Sequence, residues 1–307
     1  MSFPTVGQNV VGYCIEDIIY QGQVSGVYRA TAPSGVPVAL KLTALTGLPQ
    51  VADYVAEVAY LQQLQHPQIV TIYDVGYSAE YVYLVMELII GTTLRQRLQQ
   101  AGALPTETAL DIALAVAKAL TAVHQQGLIH RDIKPENIMI GADGSVKLLD
   151  FDLAQYLTAA TLYSDQTTPA LVGTINYMAA EQIRGEGVDT RSDLFSLAIV
   201  LYEMLTGQIP FTATSVAELI TLLSLPPPPL PKTFSMQFAQ FFDKALAYFP
   251  RARYQNALEF QRALQLLRVA ESWVDADTLP LPTPNETVAQ IVQYAVENNL
   301  SDSDPSK

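Results

Sequence analysis

Apolar positions recur with two different periods along this chain. Up to about residue 90 they fall in short runs rich in Val, Ile and Tyr: Val10–Tyr20, Gly26–Thr31, Val36–Leu42, Ile69–Tyr77 and Tyr81–Met86. Runs of this length, several of them separated by Gly and Pro as in Ala32-Pro33-Ser34-Gly35, predict strands. One segment interrupts them. Val51, Val55, Val58, Leu61 and Leu64 repeat near 3.6 residues, which predicts a helix over Val51–Gln65 closed by Pro67.

After Gly91 the helical period takes over. Thr106–Gln126 places Leu110, Ala113, Ala117, Leu120 and His124 on one face, with Gly127 as stop signal. No metal-binding partners for His124 lie nearby in sequence, so it reads as a packed helix residue. Ser192–Thr206 is apolar on nearly every side, interrupted by Glu203, and therefore predicts a helix inside the larger part. Met236–Ala247 and Asn256–Ala270 predict two more helices, and Pro226–Pro229 reads as a stiff connector. The pattern gives an α+β architecture: a small sheet-rich part, then a large helical one. The junction between two such parts is a natural ligand site.

Composition narrows the chemistry. The chain has 307 residues, 50% of them hydrophobic, and a net charge of −13. That field argues against nucleic acid or an anionic membrane as a general partner. Cys14 is the only cysteine, so neither an internal disulfide nor a multi-cysteine zinc site can form, and a reducing cytoplasm is the expected compartment. The most apolar window, Leu194–Leu205, falls short of the roughly 18 residues of a membrane span. Met1–Val10 lacks the basic and apolar regions of a secretory signal. From Glu271 onward seven acidic residues face one Lys, and Pro280, Pro282 and Pro284 open the segment as a linker. Val288, Ile291, Val292 and Ala295 then suit one short amphipathic helix, able to dock on the main domain or on a partner.

The candidate chemistry begins at His130-Arg131-Asp132-Ile133-Lys134-Pro135-Glu136-Asn137, which follows a predicted helix. Asp150-Phe151-Asp152 comes 13 residues after Asn137. At about one in twenty per position, a chance match to eight fixed residues falls below roughly one in a billion per start site. The two segments resemble the catalytic loop and the metal-binding tripeptide of eukaryotic-type (Hanks-type) serine/threonine protein kinases.

The resemblance extends over roughly Val11–Ala270. It implies a bilobal protein-kinase-like fold: an N-lobe over 1–88, a C-lobe over 89–270 and an acidic tail over 271–307. It also implies ATP with Mg²⁺ (Mn²⁺ as an alternative), and serine or threonine hydroxyls of proteins as acceptors. By the same resemblance, Asp132 takes the acceptor proton and Lys134 meets the transferring phosphate. Asn137 and Asp150 supply hard oxygen ligands for the metal. Lys41, ending Pro37-Val38-Ala39-Leu40-Lys41, corresponds to the lysine on the α- and β-phosphates, and Glu57 to its paired glutamate. Leu84–Ile89 resembles the hinge between lobes. There Met86 would back the adenine pocket, backbone groups of Glu87 and Ile89 would bond the base, and Val27, Ala39 and Met139 would sandwich it.

Gly173–Glu181 resembles the substrate-docking end of the activation segment. Thr174 would contact Asp132 and Lys134. Thr167 and Thr168 are the candidate phosphorylation sites, met by Arg131. Glu181, paired with Arg253, and Asp193, holding catalytic-loop N–H groups, are implied as structural props.

Three departures from the family pattern stand out. Where the phosphate-covering loop reads Gly-x-Gly-x-x-Gly, this chain has Tyr20-Gln21-Gly22-Gln23-Val24-Ser25, leaving Gly22 alone at a motif position. Asp152 replaces the tripeptide glycine, and Ala180 replaces the proline before Glu181. Every charge needed for transfer is present, which favours an active enzyme. The competing readings are a kinase-like module that holds nucleotide or a partner without turnover, and a kinase of small molecules.

Overall fold

The computed structural model describes residues 3–45, 62–150, 175–213 and 215–274, the last four of these by backbone alone. Met1–Arg268 forms one compact unit and Val269–Lys307 a second, of which only the end of a helix is described.

The first part of the Met1–Arg268 unit is a sheet of six antiparallel strands in the order β1-β2-β3-β4-β6-β5. These are β1 Asn9–Val10, β2 Tyr13–Gln21, β3 Ser25–Thr31, β4 Pro37–Ala44, β5 Ile72–Tyr77 and β6 Tyr81–Glu87. Alternation gives the sheet two different faces. Ile15, Tyr28, Ala30, Val38, Leu40 and Leu42 pack together with Tyr81 and Val85 on one face. Ala39, Val70 and Met86 cluster on the other, against the partly buried Leu84, Leu88, Ile89 and Leu149.

The strand expected over Val10–Tyr20 is in fact a hairpin. Val10 pairs with Tyr13, and the chain reverses at Val11 and Gly12, both at positive φ. β-Branched Val11 is a strand former by composition, which hid the turn. The helix expected over Val51–Gln65 lies outside the described residues as far as 61; residues 62–65 form a turn and irregular chain.

The second part is helical around a small three-stranded sheet. After β7 Gly91–Thr93 come α1 Leu94–Ala101 and α2 Thr106–Gln125. A 3₁₀ turn, Pro135–Asn137, leads into β8 Ile138–Gly141 and β9 Val146–Leu148. Then follow α3 Ala180–Arg184, α4 Thr190–Thr206, α5 Val216–Leu223, α6 Met236–Ala245, a second 3₁₀ turn Pro250–Ala252, and α7 Ala257–Val274. α4 is buried along almost its whole length, as its all-round apolar sequence requires. Asp189 caps its start and Gly207, in the left-handed region, ends it. α2 packs its buried side chains into the same large core. No helix among the described residues is long and apolar enough to cross a membrane.

Among the described residues, several contacts join the first part to the second. Ile69 bridges Leu148, with N–H groups of Val70 and Leu148 donating across. Ala142 donates to the carbonyl of Ile90. Lys147 on β9 forms an ion pair of 2.5 Å with Glu87 at the end of β6.

Candidate active site

Asp193, in the first turn of α4, fixes the loop that follows α2. Its fully buried carboxylate accepts from the backbone N–H groups of His130 at 2.9 Å and Arg131 at 2.7 Å. His124 Nε2 lies 2.8 Å from the same carboxylate. Three N–H groups therefore satisfy a charge that would otherwise be costly to bury. Gln182 Nε2 of α3 donates to the carbonyl of Arg131 at 2.9 Å. Arg131 is thus gripped on both sides, which holds its φ of 68° in the left-handed region where non-glycine residues are uncommon.

His130 joins the loop to β9. Its Nδ1 accepts from the backbone N–H of Asp132 at 3.3 Å, so Nε2 carries the proton donated to the carbonyl of Leu149 at 2.9 Å. Asn137 adds a second tie, because its carbonyl accepts from the N–H of Leu149 at 2.8 Å. The residue that follows Leu149 is Asp150, at φ 44°.

Around Asp132 the polar groups converge. Its Oδ2 receives Lys134 Nζ at 2.7 Å and Asn137 Nδ2 at 2.8 Å. Asn137 Nδ2 also donates to the Asp132 carbonyl at 2.8 Å. With its NH₂ group engaged in this way, Asn137 keeps its amide oxygen as the group to offer a ligand. From the sheet, Lys41 Nζ reaches Asp150 Oδ2 at 2.9 Å, with the two side chains only 11% and 24% exposed. The structure therefore shows two groups of contacts, Lys41–Asp150 and Lys134–Asp132–Asn137, joined through the backbone where the Leu149 N–H meets the Asn137 carbonyl.

The remaining expected residues take these places. Ala39 and Met86 are buried opposite one another on β4 and β6, and Val27 lies opposite Lys41. Ile89 packs against the Ala39–Met86 cluster, while Met139 on β8 pairs with Thr93 and Lys147. Gly22 donates its N–H to the Ser25 carbonyl at 2.8 Å, closing a tight hairpin between β2 and β3. Glu181 lies apart from the seam, in a bidentate pair with Arg253 at 2.6 and 3.0 Å. Ser192 Oγ donates to the same carboxylate at 2.7 Å. Glu57, Asp152, Thr167, Thr168 and Thr174 lie outside the described residues, as does the segment Val288–Ala295.

Spacing alone missed several supports. Besides pairing with Lys147, Glu87 Oε1 accepts from the N–H of Thr71 at 3.0 Å, which ties down the end of β6. Below the loop, Arg95 of α1 spans Glu136 at 2.7 Å and Glu203 at 2.6 Å. It also bonds the Tyr177 hydroxyl, which donates to Glu203 Oε2 at 2.6 Å. Burial pushes the Tyr177 phenol well above its ordinary value, with Glu203 adding to the effect. Burial alone would lower the Arg95 guanidinium, but its hydrogen bonds to Glu136 and Glu203 outweigh this and raise it. The available signal was Glu203 itself, a carboxylate inside an otherwise apolar helix.

The oxygen types suit a small hard cation. Asp150 would give one carboxylate and Asn137 one neutral amide oxygen, and Mg²⁺ characteristically takes one or two carboxylates and completes its shell with phosphate and water. No group of three or more His, Cys, Asp and Glu among the described residues forms an all-protein cage.

Comparison with known proteins gives a consistent picture. The family model described as Protein kinase domain matches residues 13–266. A probable serine/threonine-protein kinase of Clostridium perfringens is 36% identical over 216 residues, covering 69% of this chain and 31% of the relative. Serine/threonine-protein kinase PknB of Mycobacterium leprae is 40% identical over 209 residues, covering 66% and 33%. Serine/threonine-protein kinase PknL of Mycobacterium tuberculosis is 38% identical over 211 residues, covering 67% and 52%. The matched region spans about a third of the length of the first two relatives.

Proposed function

We propose that this chain, which belongs to the protein kinase family, transfers the γ-phosphoryl group of ATP to serine and threonine hydroxyls of proteins. The observation that carries the proposal is the pair of contact groups Lys41–Asp150, which joins the sheet to the helical part, and Lys134–Asp132–Asn137. Phosphoryl transfer asks for positioning and charge neutralisation more than for covalent chemistry.

Each residue then has a definable task. Asp132 Oδ2 is held by Lys134 and Asn137, so the carboxylate is oriented before an acceptor arrives. It takes the acceptor hydroxyl proton and aims the oxygen at phosphorus. Lys134, a compact cation beside that carboxylate, meets the charge gathering on the transferring group. Lys41 would bind the non-transferred phosphates, and Asp150 and Asn137 would hold Mg²⁺. When bound, Mg²⁺ supplies charge neutralisation on the phosphate oxygens. The Ala39–Met86 cluster offers a flat apolar surface for the base, with Glu87 and Ile89 beside it for backbone hydrogen bonds. Thr167 and Thr168 are proposed as sites of autophosphorylation, with Arg131 as the receiving cation.

The test is transfer of label from γ-labelled ATP, with Mg²⁺, to a generic basic protein. Label is expected on serine and threonine, with loss in Lys41→Met. Nucleotide binding with no transfer from wild type would favour the module without turnover, and label on a small molecule alone would favour the third reading.

A further inference from the structure

The cleft face of the sheet carries an aromatic side chain that the proposed chemistry leaves unused. Tyr20 stands where the family's phosphate-covering loop has its first glycine, and it is 58% exposed. Strand register decides which way it points. Lys41 pairs with Val27 across β4 and β3, and Val27 pairs with Tyr20 across β3 and β2. Residues directly opposite in an antiparallel ladder share a face. Tyr20 therefore projects from the same face as Lys41, whose ammonium meets Asp150.

A bulge brings this about. The pairing shifts between Ile18, which lies opposite the buried Tyr28 on the other face, and Tyr20. In a regular strand Ile18 and Tyr20 would share a face. The extra residue, Ile19, turns Tyr20 to the side where the site lies, a recognised use of such irregularities.

The position along the site is equally defined. On β4, Ala39 lies opposite Met86 at the base end, and Lys41 lies two residues further on at the phosphate end. Tyr20 sits level with Lys41, two strands away, or about 10 Å at the backbone. Its ring runs onward to the hairpin tip: a Cβ built on Gly22 would come within 2.6 Å of the Tyr20 hydroxyl oxygen. Within the hairpin the Gly22 N–H is engaged, donating to the Ser25 carbonyl, while the Val24 carbonyl accepts from Ala44.

From this geometry we infer that the Tyr20 hydroxyl is a phosphate-binding donor of the nucleotide site, at a position where the family's loop has a glycine. Gly22 then serves as the bare surface on which the phenol lies. This rests on the ATP-site reading above and deepens it. The opposed pair, Lys41 from one side and Tyr20 from the other, would grip a polyphosphate between them.

Calorimetric titration of the full chain with ATP and with adenosine, in Mg²⁺, tests it. Tyr20→Phe should weaken ATP about 10-fold, as expected for one hydrogen bond to a charged group, and leave adenosine unchanged. Gly22→Ala should weaken ATP in the wild-type background by displacing the ring, but have little effect in a Tyr20→Gly background. Unchanged ATP affinity in Tyr20→Phe, or equal losses for ATP and adenosine, would overturn the inference alone. Failure of the wild-type chain to bind either ligand would overturn the ATP-site reading with it.

Discussion

Val11 at φ 46° and Gly12 at φ 94° occupy the two central positions of the turn between β1 and β2. Asn9 Oδ1 accepts from the Gly12 N–H at 3.0 Å, which helps hold the reversal. Turns of this hand prefer Asn-Gly, because a β-branched residue strains the left-handed region. Val11→Asn is expected to stabilise the chain by about 1 kcal/mol, read as a rise of about 2 °C in Tm. An unchanged or lower Tm would contradict the strained turn. The same residue shows where single-letter reading stops: Val11 carries a strand signal, and only the pairing Val10–Tyr13 discloses the turn. By contrast, Asp132, Lys134 and Asn137 were legible because five consecutive peptide units hold all three. The contact between Lys41 and Asp150, 109 positions apart, rested on resemblance until the fold brought them within 2.9 Å.

Long elements announced themselves and short ones did not. α2 and α4 fall within two residues of their expected ends, α2 because several turns of apolar period fix it and α4 because a long apolar run closes at Gly207. α1, with only Leu94 and Leu98 buried, has too few apolar positions to show a period. Its readable signal was the capping box of Thr93 and Gln96, and α5 begins on a comparable Ser215 cap to the Glu218 N–H. Between elements, the buried Arg253 joins α3 to the second 3₁₀ turn. It bonds Glu181 twice, donates to the carbonyls of Ala247 and Tyr248, and lies over the Phe195 ring of α4. Removing one partner strands the other's charge inside the core. Arg253→Ala should therefore cost about 3–5 kcal/mol in chemical denaturation. Arg253→Lys should also destabilise, since an ammonium cannot reproduce the two-pronged geometry. A loss below about 1 kcal/mol for the alanine variant would show that the pair contributes little.

Across the whole molecule, function depends on two differently built parts meeting correctly. In the proposed function the sheet supplies Lys41 and the Ala39–Met86 surface, with Tyr20 added by the further inference, and the helical part supplies Asp132, Lys134, Asn137 and Asp150. The change of hydrophobic period near residue 90 made the two parts legible, whereas the ties between them were not. Ile69–Leu148 and Glu87–Lys147 are single long-range contacts that leave no periodic trace. The central claim is that Asp132 acts on the acceptor while other residues bind the nucleotide. The most direct measurement is the transfer rate at saturating ATP, alongside ATP affinity, for Asp132→Asn beside wild type. Loss of the carboxylate should lower the rate about 10²- to 10⁴-fold and leave ATP affinity within a few-fold of wild type. A variant that transfers phosphate at the wild-type rate would contradict the account.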